Sequence, residues 1–257
     1  MKKRFKSIIY YLYFYLFPQK NASYRYKSKR LLTNLKYFFN KKLKRGYFLS
    51  SEEISLRNRG DDNVSLSDEI VKDQFKILDA YYDFITKYLL IPGESLLDVG
   101  SREGYLLNRM TNAGYEVEGF EVVPEWVTYC HSKQMDYIKN IDLLELDTRD
   151  YKKFDVVFSR HTLEHVDRTK LFFDQLVALT KPGKKLFVVF PLNLKPNFKH
   201  PSYLPSLKYI KEKFDYTQLN SVTISRLDEL KYNDVKTNLT DKRESDEIVI
   251  IATKNEG

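Results

Sequence analysis

From Pro92 onward the chain alternates short apolar runs with amphipathic ones, and this alternation constrains its fold more than any other feature. Ser95 to Val99 reads as a short apolar strand, Tyr105 to Ala113 as a helix closed by Gly114, and Tyr115 to Phe120 as a second strand ending at Glu121. Pro124 to Lys133 reads as the next helix, Asp136 to Lys139 as a weak strand and Asp155 to Ser159 as a stronger one. Arg168 to Thr180 follows as a helix, Lys181-Pro182-Gly183 as a turn and Lys185 to Phe190 as a buried strand. Asp234 to Thr240 and Glu247 to Thr253 read as a β-hairpin at the edge of the sheet. Strands spaced by helices of this length predict an α/β chain, with a parallel sheet covered on both faces. Upstream, Val71, Phe75, Leu78, Tyr82, Ile85 and Leu89 recur at steps of four and three, the period of one helix face, after a candidate N-cap at Ser65 or Ser67.

Charge divides the chain near residue 51. Residues 1 to 51 hold 14 of the 43 Lys and Arg and none of the 35 Asp and Glu, so the net +8 belongs to this segment and the remainder carries −6. We therefore expect a basic, aromatic N-terminal extension over 1–51 and one catalytic-sized domain over 52–257. Ile8 to Phe17 is apolar, but as a helix ten residues rise about 15 Å, half the hydrocarbon thickness of a bilayer, so the run does not span one. Its basic start resembles a signal peptide, yet six of its ten residues are Tyr or Phe, which makes a poor apolar region for one. Tyr24 to Leu49 interleaves leucines and aromatics with lysines and arginines and reads as a basic amphipathic helix ending at Gly46. Aromatic and basic side chains together suit the headgroup region of an anionic membrane, which makes such a surface a candidate partner for residues 1–49. Cys130 is the only cysteine, which excludes an internal disulfide and a multi-cysteine zinc site and fits a reducing compartment. The expected location is the cytoplasm, with the inner membrane face as a peripheral site.

The chemistry concentrates in Leu96-Leu97-Asp98-Val99-Gly100-Ser101-Arg102-Glu103-Gly104-Tyr105, an apolar strand running through a glycine-bearing turn into a helix. Gly100 allows a tight turn and close approach of a ligand, and Gly104 allows the helix to start near the strand. Glu121, 17 residues past Gly104 at the end of the next strand, is placed to accept hydrogen bonds from both ribose hydroxyls of an adenosine ligand. Asp98 argues against a dinucleotide, because a carboxylate at the strand end repels a pyrophosphate; it suits a ligand that carries positive charge.

With these residues the sequence resembles the class I S-adenosylmethionine (SAM)-dependent methyltransferases, particularly the bacterial group acting on small molecules and glycans. The resemblance rests on the turn from Asp98 to Gly104, on Glu121, on Phe154 to Ser159 followed by Leu163-Glu164-His165-Val166, and on Lys181-Pro182-Gly183 before a strand ending at Pro191. It covers Leu96 to Pro191 and extends more loosely to residue 253. The family commonly has glycine where this chain has Arg102. The resemblance implies a Rossmann-like fold with a mostly parallel seven-stranded sheet and a C-terminal β-hairpin, and SAM as cofactor. It implies a cofactor set of Asp98, Gly100, Ser101, Gly104, Glu121 and Ser159, with Asp142, and Asp147 behind it, as the acid that meets the adenine amine.

His161-Thr162-Leu163-Glu164-His165 also matches the pattern of inverted zinc metalloproteases, but it directly follows a strand and reads as a strand-to-helix loop, so no metal is expected. The expected acceptor is a small molecule or a glycan, with a sugar hydroxyl favoured, and nucleic acid is not expected because the body is acidic. A hydroxyl must lose its proton as it attacks. His161, just after the fourth strand, and His200, in the proline-bearing loop from Pro191 to Pro205, are the candidate general bases. The sequence leaves the oligomeric state open. A rival expectation is a binding module that keeps the fold and recruits a partner without turnover.

Overall fold

The computed structural model describes residues 68–166, 168–192, 204, 206–233, 235–236, 239 and 247–256. The N-terminal extension, the expected boundary at residue 51 and His200 lie outside the described residues. Helix α1 (Asp68–Tyr88) leads into β1 (Ser95–Val99), α2 (Tyr105–Asn112), β2 (Glu116–Glu121), α3 (Pro124–Ser132), β3 (Ile138–Asn140) and β4 (Phe154–Arg160). A 3-10 turn at Leu163–His165 precedes α4 (Thr169–Leu179), β5 (Thr180–Pro191), α5 (Leu207–Lys213) and β6 (Leu219–Arg226). Two short strands, β7 (Lys231–Tyr232) and β8 (Val235–Lys236), pair with each other, and β9 (Glu247–Lys254) closes the order.

The main sheet has seven strands in the order β3-β2-β1-β4-β5-β9-β6. Strands β1 to β5 run parallel, and β9 runs antiparallel to both β5 and β6. Side chains alternate across the sheet, so neighbours on one strand enter opposite cores. Leu96, Val156, Phe158, Phe187 and Ile251 face one layer with α1 and α2, while Leu97, Val157, Leu186, Val188 and Ile250 face the other with α4 and α5. The result is a three-layer helix-sheet-helix arrangement, as the strand and helix alternation predicts.

Three expectations are corrected in detail. The edge strand antiparallel to β9 is Leu219–Arg226, not 234–240; of the latter stretch, Val235–Lys236 pairs with Lys231–Tyr232. The β-branched run Val222-Thr223-Ile224 carries strand preference that a search for the nearest hairpin passes over. Lys181-Pro182-Gly183 does not end an element but bulges within β5, because Thr180 pairs with Phe154 and Lys185 already pairs with Val156. Ile85 and Leu89 of the expected α1 face are buried, joined by Tyr81 and Phe84, while Tyr82 is only partly buried, with its ring under the guanidinium of Arg109 at 4.1 Å.

Candidate functional site

In this sheet the chain leaves β1 toward β2 on one side and reaches β4 on the other. That reversal is a topological switch point at the carboxyl ends of β1 and β4, where open α/β sheets bind ligands. The turn after β1 forms one wall. Gly100 takes φ +86° and its N–H donates to Phe120 O at 2.8 Å; Arg102 takes φ +50° and Gly104 φ +73°. A Cβ on Gly100 would stand 2.1 Å from Thr162 Oγ1, and one on Gly104 would stand 2.3 Å from Ile138 Cδ1. Both glycines are therefore required by backbone conformation and by close packing.

Glu121 ends β2 and reaches back to this turn. Its Oε2 accepts from the Arg102 N–H at 2.9 Å and its Oε1 from the Val123 N–H at 2.8 Å, while its carbonyl accepts from Asn140 Nδ2 at 2.8 Å. The carboxylate is buried, and burial raises its pKa against those backbone bonds. Asp98 is 7% exposed, and burial, then the charges of Glu121 and Glu103, push its carboxyl up to about 8, with Arg160 opposing. Two carboxylates thus stand near Asp98 and disfavour its ionisation. A site built this way gains most when a cation arrives, and strongly shifted groups in a cleft mark functional sites. The ammonium and sulfonium of SAM fit that field, and an inorganic pyrophosphate does not.

Other expected site residues separate into two groups. Ser159 Oγ donates to Val99 O at 2.9 Å, and Thr162 Oγ1 donates to the same carbonyl at 3.1 Å, so both tie β4 to the end of β1. Ser101 is buried beneath the turn, and its Oγ finds no hydrogen-bond partner among the described residues. Asp142, half-buried past β3, caps its own turn by accepting from the Leu144 N–H at 2.9 Å. Asp147 is exposed and paired with Arg149 at 2.6 Å, and those bonds hold its carboxyl down at about 2.

His161 follows β4 in the left-handed region, at φ +53°, with its N–H on Val189 O at 2.9 Å. Its Nε2 is hydrogen-bonded to Glu247 Oε1, and Arg160 Nη2 lies 3.6 Å from the same oxygen. His165 belongs to the 3-10 turn and His161 precedes it, so the two imidazoles do not share a helix face as a zinc pair would. Among the described residues no group of three or more His, Cys, Asp and Glu gathers as a metal site. Sequence reasoning missed Arg160, Glu103, Thr162 and Glu247. Glu247 carried a legible signal, an acid opening the otherwise apolar run Ile248 to Ala252.

The sheet order, its single reversed strand near one edge and the acidic turn at the switch point define a class I methyltransferase. A family profile described as a methyltransferase domain matches residues 70–230, more than half of the chain, and the chain belongs to that family, among the SAM-dependent methyltransferases. Ubiquinone biosynthesis O-methyltransferases of Coxiella burnetii and Xanthomonas campestris are 27% identical over 108 residues and 29% over 113, covering 40% and 41% of this chain and 46% of theirs. The chain thus spans about half the length of the curated relatives it matches. Among solved structures, magnesium protoporphyrin IX methyltransferase of Synechocystis, with bound SAM, aligns at TM-score 0.53 and 15% identity over 80% of this chain and 98% of that one. The methyltransferase in complex with the Haloferax volcanii Trm112 activator aligns at 0.54 and 14% over 74% and 93%. At such identities the likeness is one of fold.

Proposed function

We propose that this chain binds SAM across the carboxyl ends of β1 and β2 and transfers its methyl group to a hydroxyl. The observation that carries the reading is the acidic turn at the switch point, where Asp98 and Glu121 are buried and Glu103 lies near enough to raise the Asp98 carboxyl. Bound SAM supplies an electrophilic methyl group on a sulfonium. Glu121 holds the ribose hydroxyls, Asp98 and Glu103 balance the ammonium, Gly100 and Gly104 let backbone approach, and Asp142 meets the adenine amine. Ser101 and Ser159 complete the wall. His161 takes the acceptor proton, with His200 as the second candidate.

The printed names of the curated relatives, O-methyltransferases of ubiquinone biosynthesis, support oxygen as the methylated atom. Within that class we favour a sugar hydroxyl, in a glycan or its lipid-linked precursor, because the basic segment 1–49 suits the membrane face where such precursors lie. No described helix is long and apolar enough to cross a membrane. Mass spectrometry of products after incubation with SAM and a panel of sugar, lipid and phenolic acceptors tests the reading. A methylated oxygen is the expected result. Failure to bind SAM by calorimetry would overturn it, and binding without transfer to any acceptor would favour the recruitment module. Sedimentation of full-length and residue 50–257 chains with anionic vesicles tests the membrane arm: only the full chain should sediment.

A further inference from the structure

Strand β9 brings a buried carboxylate to the loop that follows β4. Glu247 opens β9 opposite Pro191 of β5, and it is 3% exposed. Its Oε1 meets His161 Nε2 from 86 residues away, and its Oε2 is buried with no hydrogen-bond partner among the described residues. Burying a carboxylate in a sheet core costs several kcal/mol unless charge and hydrogen bonds compensate, and a hydrophobic residue here would pack at no such cost. Arg160, 3.6 Å away, supplies part of the compensation. His161 meanwhile holds a left-handed backbone that disfavours any side chain with a Cβ, a strain that concentrates at functional positions.

We propose that Glu247 is the positioning residue of a His161–Glu247 dyad that removes the proton of the methyl acceptor. The inference rests on the methyl-transfer reading above and assigns its base in atomic terms. By accepting from Nε2–H, Glu247 fixes the neutral tautomer with the proton on Nε2, which leaves the lone pair on Nδ1. The acceptor O–H gives its proton to Nδ1 as its oxygen forms a bond to the methyl carbon. The carbon–sulfur bond breaks with its electron pair going to sulfur, which leaves a neutral thioether. His161 ends the step as an imidazolium whose charge faces the Glu247 carboxylate, so the carboxylate favours the product side of the proton transfer. Arg160 holds Glu247 in place from β4, so strands β4, β5 and β9 together fix the ring.

The chain has four histidines, which makes nitrogen-15 NMR of the side chains tractable for assignment by single substitution. In the full-length chain, the resonance lost in His161→Gln should show the Nε2–H tautomer, and Glu247→Gln or Glu247→Ala should change that tautomer ratio. A proton on Nδ1, or an unchanged ratio in a folded Glu247 variant, overturns the dyad whatever the acceptor is. Should Glu247→Ala fail to fold, the nearly isosteric Glu247→Gln carries the test. With an acceptor drawn from the panel, Glu247→Gln should lower kcat about 100-fold while KM for the acceptor and calorimetric affinity for S-adenosylhomocysteine stay within about twofold. Parent-like kcat sinks the dyad alone. A parent chain that binds neither SAM nor S-adenosylhomocysteine sinks the methyl-transfer reading, and the tautomer result still stands or falls by itself.

Discussion

The backbone N–H of Arg102 donates to Glu121 Oε2 at 2.9 Å, so the acid that ends β2 also holds the turn that follows β1. The same carboxylate orders the turn and, on the proposed reading, receives the ribose hydroxyls. Glu121→Ala removes both. SAM affinity should fall by about 1.5–3 kcal/mol, roughly 10- to 150-fold, through lost charged hydrogen bonds and a looser turn. Calorimetry reads this directly, and binding equal to the parent's would place the ribose elsewhere.

On the proposed reading, Asp98 couples SAM binding to a proton. With its carboxyl pushed up to about 8, chiefly by burial, the free protein holds this group protonated at neutral pH. A cationic ligand favours the carboxylate, so binding should release up to one proton below pH 8, and affinity should rise as pH increases toward that value. Calorimetry at pH 6.5 in two buffers of different ionisation enthalpy counts the protons. Asp98→Asn should abolish the release and weaken binding. The linked stability has the opposite sign. Because the folded carboxyl titrates above its unfolded value, the free protein should lose stability as pH rises from about 4 to about 8, and SAM should offset that loss.

Much of this was legible in the sequence because each strand is a short apolar run bounded by a glycine or a charged residue. Ser95 to Val99 is read to the residue, and α2, α3 and α4 lie within one residue at either end. The turn from Asp98 to Gly104 and its partner Glu121 were legible for the same reason, since a strand, its turn and the next strand end are local in sequence. Contacts between distant segments were not. Glu247 reaches His161 across 86 residues, through a sheet whose last strand inserts between β5 and β6. No local pattern announces that insertion, and β6 itself is half-exposed, so its burial alternation is weak.

At the opposite end of the sheet, Asp155 ties three segments together. Its Oδ2 accepts from the Ser95 N–H at 3.0 Å, from Ser95 Oγ at 2.9 Å and from Lys181 Nζ at 2.6 Å. These bonds outweigh burial and hold its carboxyl down at about 2. Asp155→Asn should cost about 1–3 kcal/mol at neutral pH, toward the lower end because Lys181 is partly exposed. A depressed folded value means that this contribution is present above the unfolded value near 4 and is lost as pH falls toward 2. The gap in unfolding midpoint between parent and variant should therefore close over that window. A gap independent of pH would show that Asp155 stabilises by packing alone.

Arg102 occupies the left-handed region, at φ +50°. An L-residue there costs about 1–2 kcal/mol, and glycine removes that strain but orders more chain entropy on folding. The arginine offsets part of the strain through contacts of its own: its guanidinium lies 5.2 Å from the Trp126 ring centroid and its Nε 3.4 Å from Glu103. The two effects nearly cancel, so Arg102→Gly should change stability by no more than about 1 kcal/mol. Arg102→Val keeps the strain, adds β-branching at a position that tolerates it least and loses both contacts, so it should cost about 1–3 kcal/mol. Because the Arg102 N–H is what Glu121 binds, Arg102→Val should also weaken SAM while Arg102→Gly leaves it near the parent value. Thermal unfolding and calorimetry on the two variants decide the matter. If valine proves as stable and as tight-binding as glycine, the turn is not strained at this residue and the left-handed conformation is not what the site requires.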